Sequence, residues 1–115
     1  MATQTAEQLT SKRCQACEGG VDRYTPEQAR EQLQSLDGWQ LNQDATQIHK
    51  TWQAKDFQAG VDFLARIADV AEQEGHHPDL HLTGYREVRV ELSTHAIDGL
   101  SENDFILAAK VSALT

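Results

Sequence analysis

The chain has 115 residues, enough for one domain with a modest core, since a chain of this length buries roughly two thirds of its unfolded surface. Its net charge of −8 argues against binding to nucleic-acid phosphates or to an anionic membrane, because both need clustered Lys and Arg. No apolar run approaches the length of about 18 residues that a membrane span requires. The polar N-terminus lacks the apolar region of a signal peptide, so we expect a protein of the cytoplasm.

The N-terminal segment, residues 1–24, shows no hydrophobic period, and Gly19-Gly20 interrupts the chain near its end. Such a segment is typical of a loosely ordered terminus. The sequence therefore predicts a flexible N-terminal arm over residues 1–24 and a single α+β domain over residues 25–115.

Cys14 and Cys17 lie in this arm with C-x-x-C spacing, as in half of a metal site or a redox pair. A structural zinc site needs two more ligands, and the sequence contains no second C-x-x-C. His77 and His81 are spaced like half of a zinc finger, but they lie about 60 residues further on. A thioredoxin-like motif would follow a strand, and this pair does not. We therefore interpret both cysteines as reduced thiols.

A first helix is predicted over residues 26–36. Thr25 can cap it, Pro26 suits the first helical position, and Gln28 completes a capping-box pattern. Gly38 follows as a C-terminal stop.

An antiparallel hairpin is predicted next, because residues 39–42 and 48–52 alternate apolar and polar on either side of a polar turn. The residues expected on its buried face are Trp39, Leu41, Ile48 and Trp52. His49 falls on the opposite face, where we expect it to be solvated.

The longest periodic segment runs from Asp56 to Glu74 and predicts an amphipathic helix. Asp56 is the expected N-cap and Gly75 the terminator. The spacing places Glu72 in the last turn, so its carboxylate projects toward the residues that follow. The apolar stripe is predicted to contain Phe57, Val61, Leu64, Ala68 and Ala71, widened by Phe63, Ile67 and Val70.

Two more strands and a helix complete the predicted fold. Residues 80–82 are extended, and residues 87–93 alternate strictly after a turn. Ser101 caps the last helix, with Asp104 at its third position, where a carboxylate suits unpaired N–H groups. The order α-β-β-α-β-β-α predicts an α+β fold with three helices on one face of a four-stranded antiparallel sheet. The other face would meet solvent or a partner subunit.

His76-His77-Pro78 directly follows the long helix, and His95 follows the last strand. Imidazole titrates near neutral pH, so three near one site indicate proton transfer or a metal. Proline disfavours helical geometry at His77, and adjacent rings in an extended chain point to opposite sides. The residues alone leave three interpretations open: surface histidines without a shared role, a transition-metal site with a carboxylate, and metal-free acid–base catalysis.

One family resemblance separates these interpretations. The positions that carry it are Glu72, His76-His77-Pro78, Tyr85, His95 and Asp104, supported by Ser93-Thr94, Gly99–Asp104, Trp39, Lys55-Asp56-Phe57 and the Cys14–Cys17 leader. Together they resemble the signature of the pterin-4a-carbinolamine dehydratases, also called 4a-hydroxytetrahydrobiopterin dehydratases, over roughly residues 13–113. Gly75 and Leu80 depart from it, since some members have an acidic and an aromatic residue there, but the three histidines are intact.

The resemblance implies dehydration of 4a-hydroxytetrahydrobiopterin to quinonoid dihydropterin, in tetrahydrobiopterin recycling after aromatic amino acid hydroxylation. The reaction has no redox change, so no metal or organic cofactor is expected. The implied catalytic residues are His76, His77 and His95, of which His77 and His95 would exchange protons while His76 orients the pterin. Glu72 and Asp104 would support them, although Asp104 can equally serve only as a helix cap. The implied substrate contacts are His76, Pro78, Ser93 and Thr94.

A non-catalytic binding role is the alternative. Members of this fold also serve as a dimerisation cofactor for a homeodomain transcription factor, and relatives act as RuBisCO assembly factors. The assembly factors have a degraded histidine signature, so the intact histidines favour the enzyme. Family members form dimers or tetramers, and we expect a homo-oligomer without nucleic-acid or membrane partners.

Overall fold

The computed structural model describes residues 3–15 and 22–115. Its helices are α1 (Ala6–Thr10), α2 (Pro26–Leu33), α3 (Phe57–Glu74) and α4 (Glu102–Ser112), with a 3-10 turn at His95–Ile97. Its strands are β1 (Gln40–Leu41), β2 (Ile48–Gln53), β3 (Asp79–Thr83) and β4 (Glu87–Leu92). They form one antiparallel sheet in the order β1-β2-β4-β3. The predicted α+β class and element order are confirmed, and α1 precedes that order.

The sheet has one apolar and one polar face because its strands alternate as predicted. Val88, Val90 and Leu92 of β4 are fully buried, as is Ile48, which pairs with Leu92. The intervening residues of β4 are charged and lie on the other face. The apolar face packs into the core with side chains from the helices, including Phe105 of α4.

The helix ends follow the predicted capping chemistry. Thr25 and Gln28 form a capping box at the start of α2, and the Asp56 side chain accepts a hydrogen bond from Ala59 N at the start of α3. Gly75 ends α3 in the left-handed conformation at φ +66°. α2 ends at Leu33, three residues before the predicted end, because residues 34–36 tighten into i→i+3 hydrogen bonds.

β1 is shorter than the predicted strand over residues 39–42. Asn42 turns the chain, since its Oδ1 accepts hydrogen bonds from Thr46 N at 2.8 Å and Gln47 N at 3.0 Å. Trp39 is nevertheless buried, as predicted, and its Nε1 donates to Ser112 Oγ at 2.8 Å.

α3 buries a narrower face than predicted. Its buried residues are Gly60, Phe63, Ile67 and Ala71. The prediction was wrong for Ala68, Phe57 and Val61, which are exposed, the last two at 56% and 37%. α3 carries apolar residues well beyond the face that packs on the sheet, so periodicity alone could not place the edge of that face.

The N-terminal arm differs from its predicted loose order in the part that the structure describes. Thr5 and Gln8 form a capping box for α1, and Leu9 is fully buried in the core. Cys17 lies outside the described residues. The division into an arm and a domain at residue 25 stays a prediction. No helix in the described ranges is long and apolar enough to cross a membrane.

Candidate active site

The end of α3 directs His76 into the protein. Gly75 closes the helix in a left-handed conformation, and both Gly75 N and His76 N donate to Ala71 O. This cap turns the chain inward, so His76 is only 5% exposed. His77 then points outward, as expected for adjacent residues in an extended chain.

His76 forms a hydrogen bond with Asp104 in the first turn of α4. His76 Nε2 lies 2.6 Å from Asp104 Oδ1, and since a carboxylate only accepts, the imidazole N–H is the donor. The other oxygen, Oδ2, accepts from Thr94 Oγ1 at 2.8 Å and from Ser101 N at 3.0 Å. The carboxylate is completely buried, so these donors replace its lost hydration. Asp104 thus caps α4, as predicted, and also holds His76 and Thr94.

His77 and Glu72 form a second, exposed pair. His77 Nε2 lies 3.4 Å from Glu72 Oε2, and the two side chains are 63% and 77% exposed. The carboxylate therefore lies beside a histidine, as its place in the last turn predicted. A pair this exposed contributes little to stability, because water screens the charges.

His95 begins the 3-10 turn just beyond β4. Thr94 and Gly99 form an antiparallel bridge, with Thr94 N donating to Gly99 O at 2.8 Å, so the intervening loop is closed at its base. His95 is exposed at one side of this loop. His95 directly follows Thr94 in the chain, and the Thr94 hydroxyl donates to Asp104 Oδ2.

A cavity of about 300 Å³ adjoins His95. Ser93, Thr94 and His95, all predicted to belong to the site, line it. Sequence reasoning missed the rest of its lining, which comprises Asn42, Thr46, Gln47, Asp98 and Gly99. The pairing of Ile48 with Leu92 brings the hairpin turn beside Ser93, and only this register could have revealed that wall.

The three histidines lie at one edge of the sheet. His76 and His77 precede β3, and His95 follows β4; the two strands are antiparallel neighbours, with Asp79 opposite Glu91. Pro78 directly precedes β3 at the same edge. Tyr85, in the turn joining these strands, is at their other end and 61% exposed. His95 lines the cavity described above, whereas His76 and His77 do not. A buried imidazole can position a ligand, and an exposed one can exchange protons with it.

No group of three or more His, Cys, Asp or Glu side chains within residues 3–15 and 22–115 is arranged to hold a metal ion. The Nε2 atoms of His76 and His77 each lie within hydrogen-bonding distance of a carboxylate oxygen.

Comparisons with known proteins identify the family of this chain. The family model for pterin 4 alpha carbinolamine dehydratase matches residues 22–114. Pterin-4-alpha-carbinolamine dehydratase 2, mitochondrial, from Arabidopsis thaliana is 50% identical over 109 residues, covering 92% of this chain and 58% of that protein. The chain thus spans little more than half of that relative. A Methylococcus capsulatus relative is 42% identical over 106 residues, 92% of either chain.

A solved structure is also similar. The crystal structure of a transcriptional coactivator/pterin dehydratase from Brucella melitensis superimposes with a TM-score of 0.75 and 35% identity, covering 81% of this chain and 98% of that one. The family model, the relatives and the fold confirm the family that the sequence resembles. The chain belongs to the pterin-4a-carbinolamine dehydratase family.

Proposed function

We propose that the protein dehydrates 4a-hydroxytetrahydrobiopterin to quinonoid dihydropterin and water, as a step in tetrahydrobiopterin recycling. Its family membership supports this activity, as does the name of the Arabidopsis relative. The structural observation that carries the proposal is the buried hydrogen bond of His76 to Asp104, beside exposed His77 and His95 at one sheet edge.

The reaction needs two proton transfers and no change of oxidation state. The C4a–O bond breaks, and because hydroxide is a poor leaving group, a proton must reach that oxygen so that it departs as water. The adjacent ring nitrogen loses a proton as the carbon–nitrogen double bond forms. Side chains that titrate near neutral pH can serve both steps, so the proposed reaction uses no metal or organic cofactor.

His77 and His95 carry the proton transfers in this proposal. Both rings are exposed, so each can be reprotonated or deprotonated by water after a turnover. Glu72, 3.4 Å from His77, orients that ring.

His76 orients the pterin. Its ring is fixed at Nε2 by Asp104 and buried, which suits a positioning group better than one that must exchange protons with solvent. Pro78, Ser93 and Thr94 complete the proposed substrate contacts. Ser93 and Thr94 line the cavity at His95, so a pterin seated there lies against β4.

The protein acts as a homodimer or homotetramer in the cytoplasm in this proposal. Two surfaces support self-association: the polar outer face of the sheet, and the exposed apolar side chains of Phe57 and Val61 on α3. Sedimentation of the purified protein tests the oligomeric state, and a monomer at micromolar concentration would contradict the proposed self-association.

The activity is tested by adding the protein to freshly generated 4a-hydroxytetrahydropterin and following quinonoid dihydropterin by absorbance. We expect acceleration by the wild type and losses of about 10²–10⁴-fold in His77→Ala and His95→Ala, the usual contribution of a general acid or base. His81→Ala is the matched control, because His81 lies on the outer face of the sheet, where its Nε2 is 2.9 Å from Glu91 Oε1. If the wild type does not exceed the spontaneous rate of dehydration, the proposed activity is wrong.

A non-catalytic binding function is the second candidate. The Brucella melitensis structure, described as a coactivator as well as a dehydratase, favours it. An inactive wild type in the same assay would promote this function.

A further inference from the structure

The short segment Arg13–Gln15, called the strap below, runs between the two helix ends that carry His76 and Asp104. Cys14 N donates to Glu74 Oε1 at 2.8 Å, and Glu74 is the last residue of α3. Gln15 N donates to Asn103 Oδ1 at 2.9 Å, and Asn103 Nδ2 returns a hydrogen bond to Gln15 O at 2.8 Å. The strap thus bonds to α3 and α4 through adjacent residues.

The side chains that receive the strap are buried. Asn103 is 1% exposed and the Glu74 side chain 6%. A buried amide that pairs both of its groups with one backbone residue fixes that residue like a strand partner. Glu74 also bonds Lys110 of α4 at 3.2 Å, so the two helices are tied directly as well.

Glu74 is held in its charged form. Burial acts to raise its pKa, but the hydrogen bonds from Cys14 N and Lys110, with the charges of Lys110 and Arg13, outweigh burial and hold the pKa below its ordinary value. An ionised acceptor makes the stronger bond to the strap.

These contacts lie next to the active-site pair in the chain. Glu74 precedes His76 by two residues and Asn103 precedes Asp104 by one. The strap therefore bonds to a residue near each end of the 2.6 Å hydrogen bond between His76 and Asp104. Further back, α1 packs on α4 through Leu9, and Glu102 accepts hydrogen bonds from Gln4 and Lys12 at 2.6 Å and 3.1 Å.

We propose that the strap is a clamp that sets the distance between His76 and Asp104, with Asn103 and Glu74 as positioning residues for the dehydration. The clamp rests on the proposed function, since it acts through His76. It assigns catalytic consequence to an N-terminal segment outside the histidine signature. Small displacements of catalytic groups cost rate steeply, so loosening the clamp lowers kcat more than it raises KM.

The test compares Gln15→Pro with Gln15→Ala in the full-length protein. Both variants lack the glutamine side chain, but only proline also removes the backbone N–H that bonds Asn103. We expect a kcat about tenfold lower in Gln15→Pro than in Gln15→Ala, with KM within about twofold. If Gln15→Pro folds poorly, Asn103→Ala removes the same hydrogen bonds from the side of α4, and we expect the same loss of kcat.

A second readout separates positioning from stability. The His76 Nε2–H proton, held in a short charge-assisted hydrogen bond, gives an NMR resonance far downfield, assigned by its absence in His76→Gln. We expect this resonance to move upfield or to broaden in Gln15→Pro and not in Gln15→Ala. Equal kcat and equal resonances in the two variants, even with different melting temperatures, would overturn the clamp. If the wild type is not a dehydratase, the resonance alone still shows whether the strap sets the distance between His76 and Asp104.

Discussion

The 2.6 Å hydrogen bond from His76 Nε2 to Asp104 Oδ1 joins the end of α3 to the first turn of α4 inside the protein. The carboxylate therefore has two tasks, since its other oxygen caps α4 through Ser101 N. The pair of His77 and Glu72 is its exposed counterpart, longer at 3.4 Å and screened by water. The two carboxylates of the signature should thus respond very differently to substitution.

Asp104→Asn is expected to lower both stability and activity. All of the partners of the carboxylate are donors, so an amide NH₂ in place of one oxygen sets donor against donor. Hydrogen bonds to charged groups contribute about 1.5–3 kcal/mol, and we expect that loss in the free energy of unfolding by urea, with kcat at least tenfold lower. Asp69→Asn, an exposed change on α3, is the control and should match the wild type.

Glu72→Gln is expected to leave the fold unchanged. The pair that it breaks is exposed on both sides, and such pairs contribute about 0–1 kcal/mol. We expect the same urea midpoint as the wild type and a kcat within about fivefold of it, because glutamine can still accept a hydrogen bond from His77. A loss as large as that of Asp104→Asn would contradict this division between the two carboxylates.

The caps and the individual strands were predictable because they depend on residues close in sequence. Thr25 with Gln28 and Asp56 with Ala59 each act over three positions. The His76–Asp104 bond spans 28 residues, and spacing carries no information about a contact of that range. The signature could therefore name both residues without showing that they touch.

α1 was missed for a different reason. A helix of five residues with a single buried side chain has no periodicity to detect. The contacts of the strap were not predicted either. Cys14 and Gln15 donate through their backbone N–H groups, so their side chains give no sign of these bonds.

Gly75→Ala is expected to destabilise the protein through the backbone alone. Gly75 has φ +66°, and a Cβ built there meets no atom within 4 Å. A left-handed alanine costs about 1–2 kcal/mol, which lowers Tm by roughly 4–8 °C per kcal/mol in a domain near this size. Gly75→Asn should lose less, since asparagine tolerates this conformation. Equal melting temperatures for both variants and the wild type would refute the backbone argument.

Acid stability is expected to depend on Glu91. The hydrogen bond from Arg89 Nε, 2.7 Å long, holds the pKa of Glu91 below its ordinary value of 4.5, and His81 adds to this against the effect of burial. Because the folded pKa is the lower one, the stabilisation is complete above about pH 4.5 and is lost as the pH falls through the folded pKa.

Urea unfolding of wild type and Glu91→Gln at a series of pH values checks this. The wild type should be the more stable at pH 7, and the difference should shrink as the pH falls below about 4.5. Glu87→Gln, which removes an exposed carboxylate from the same strand, is the control. A difference between wild type and Glu91→Gln that stays constant with pH would count against Glu91.

Leu9→Ala is expected to show that α1 belongs to the folded core. Leu9 is completely buried, although α1 is one short helix in a segment whose sequence is polar. Truncating a buried leucine to alanine removes its apolar contacts and leaves a cavity, at a cost of about 2–5 kcal/mol. Glu7→Ala on the exposed side of α1 should change the free energy of unfolding by no more than about 0.5 kcal/mol. If the arm were loosely ordered in solution, the two variants would unfold at the same urea concentration, whereas docking of α1 on α4 separates them clearly.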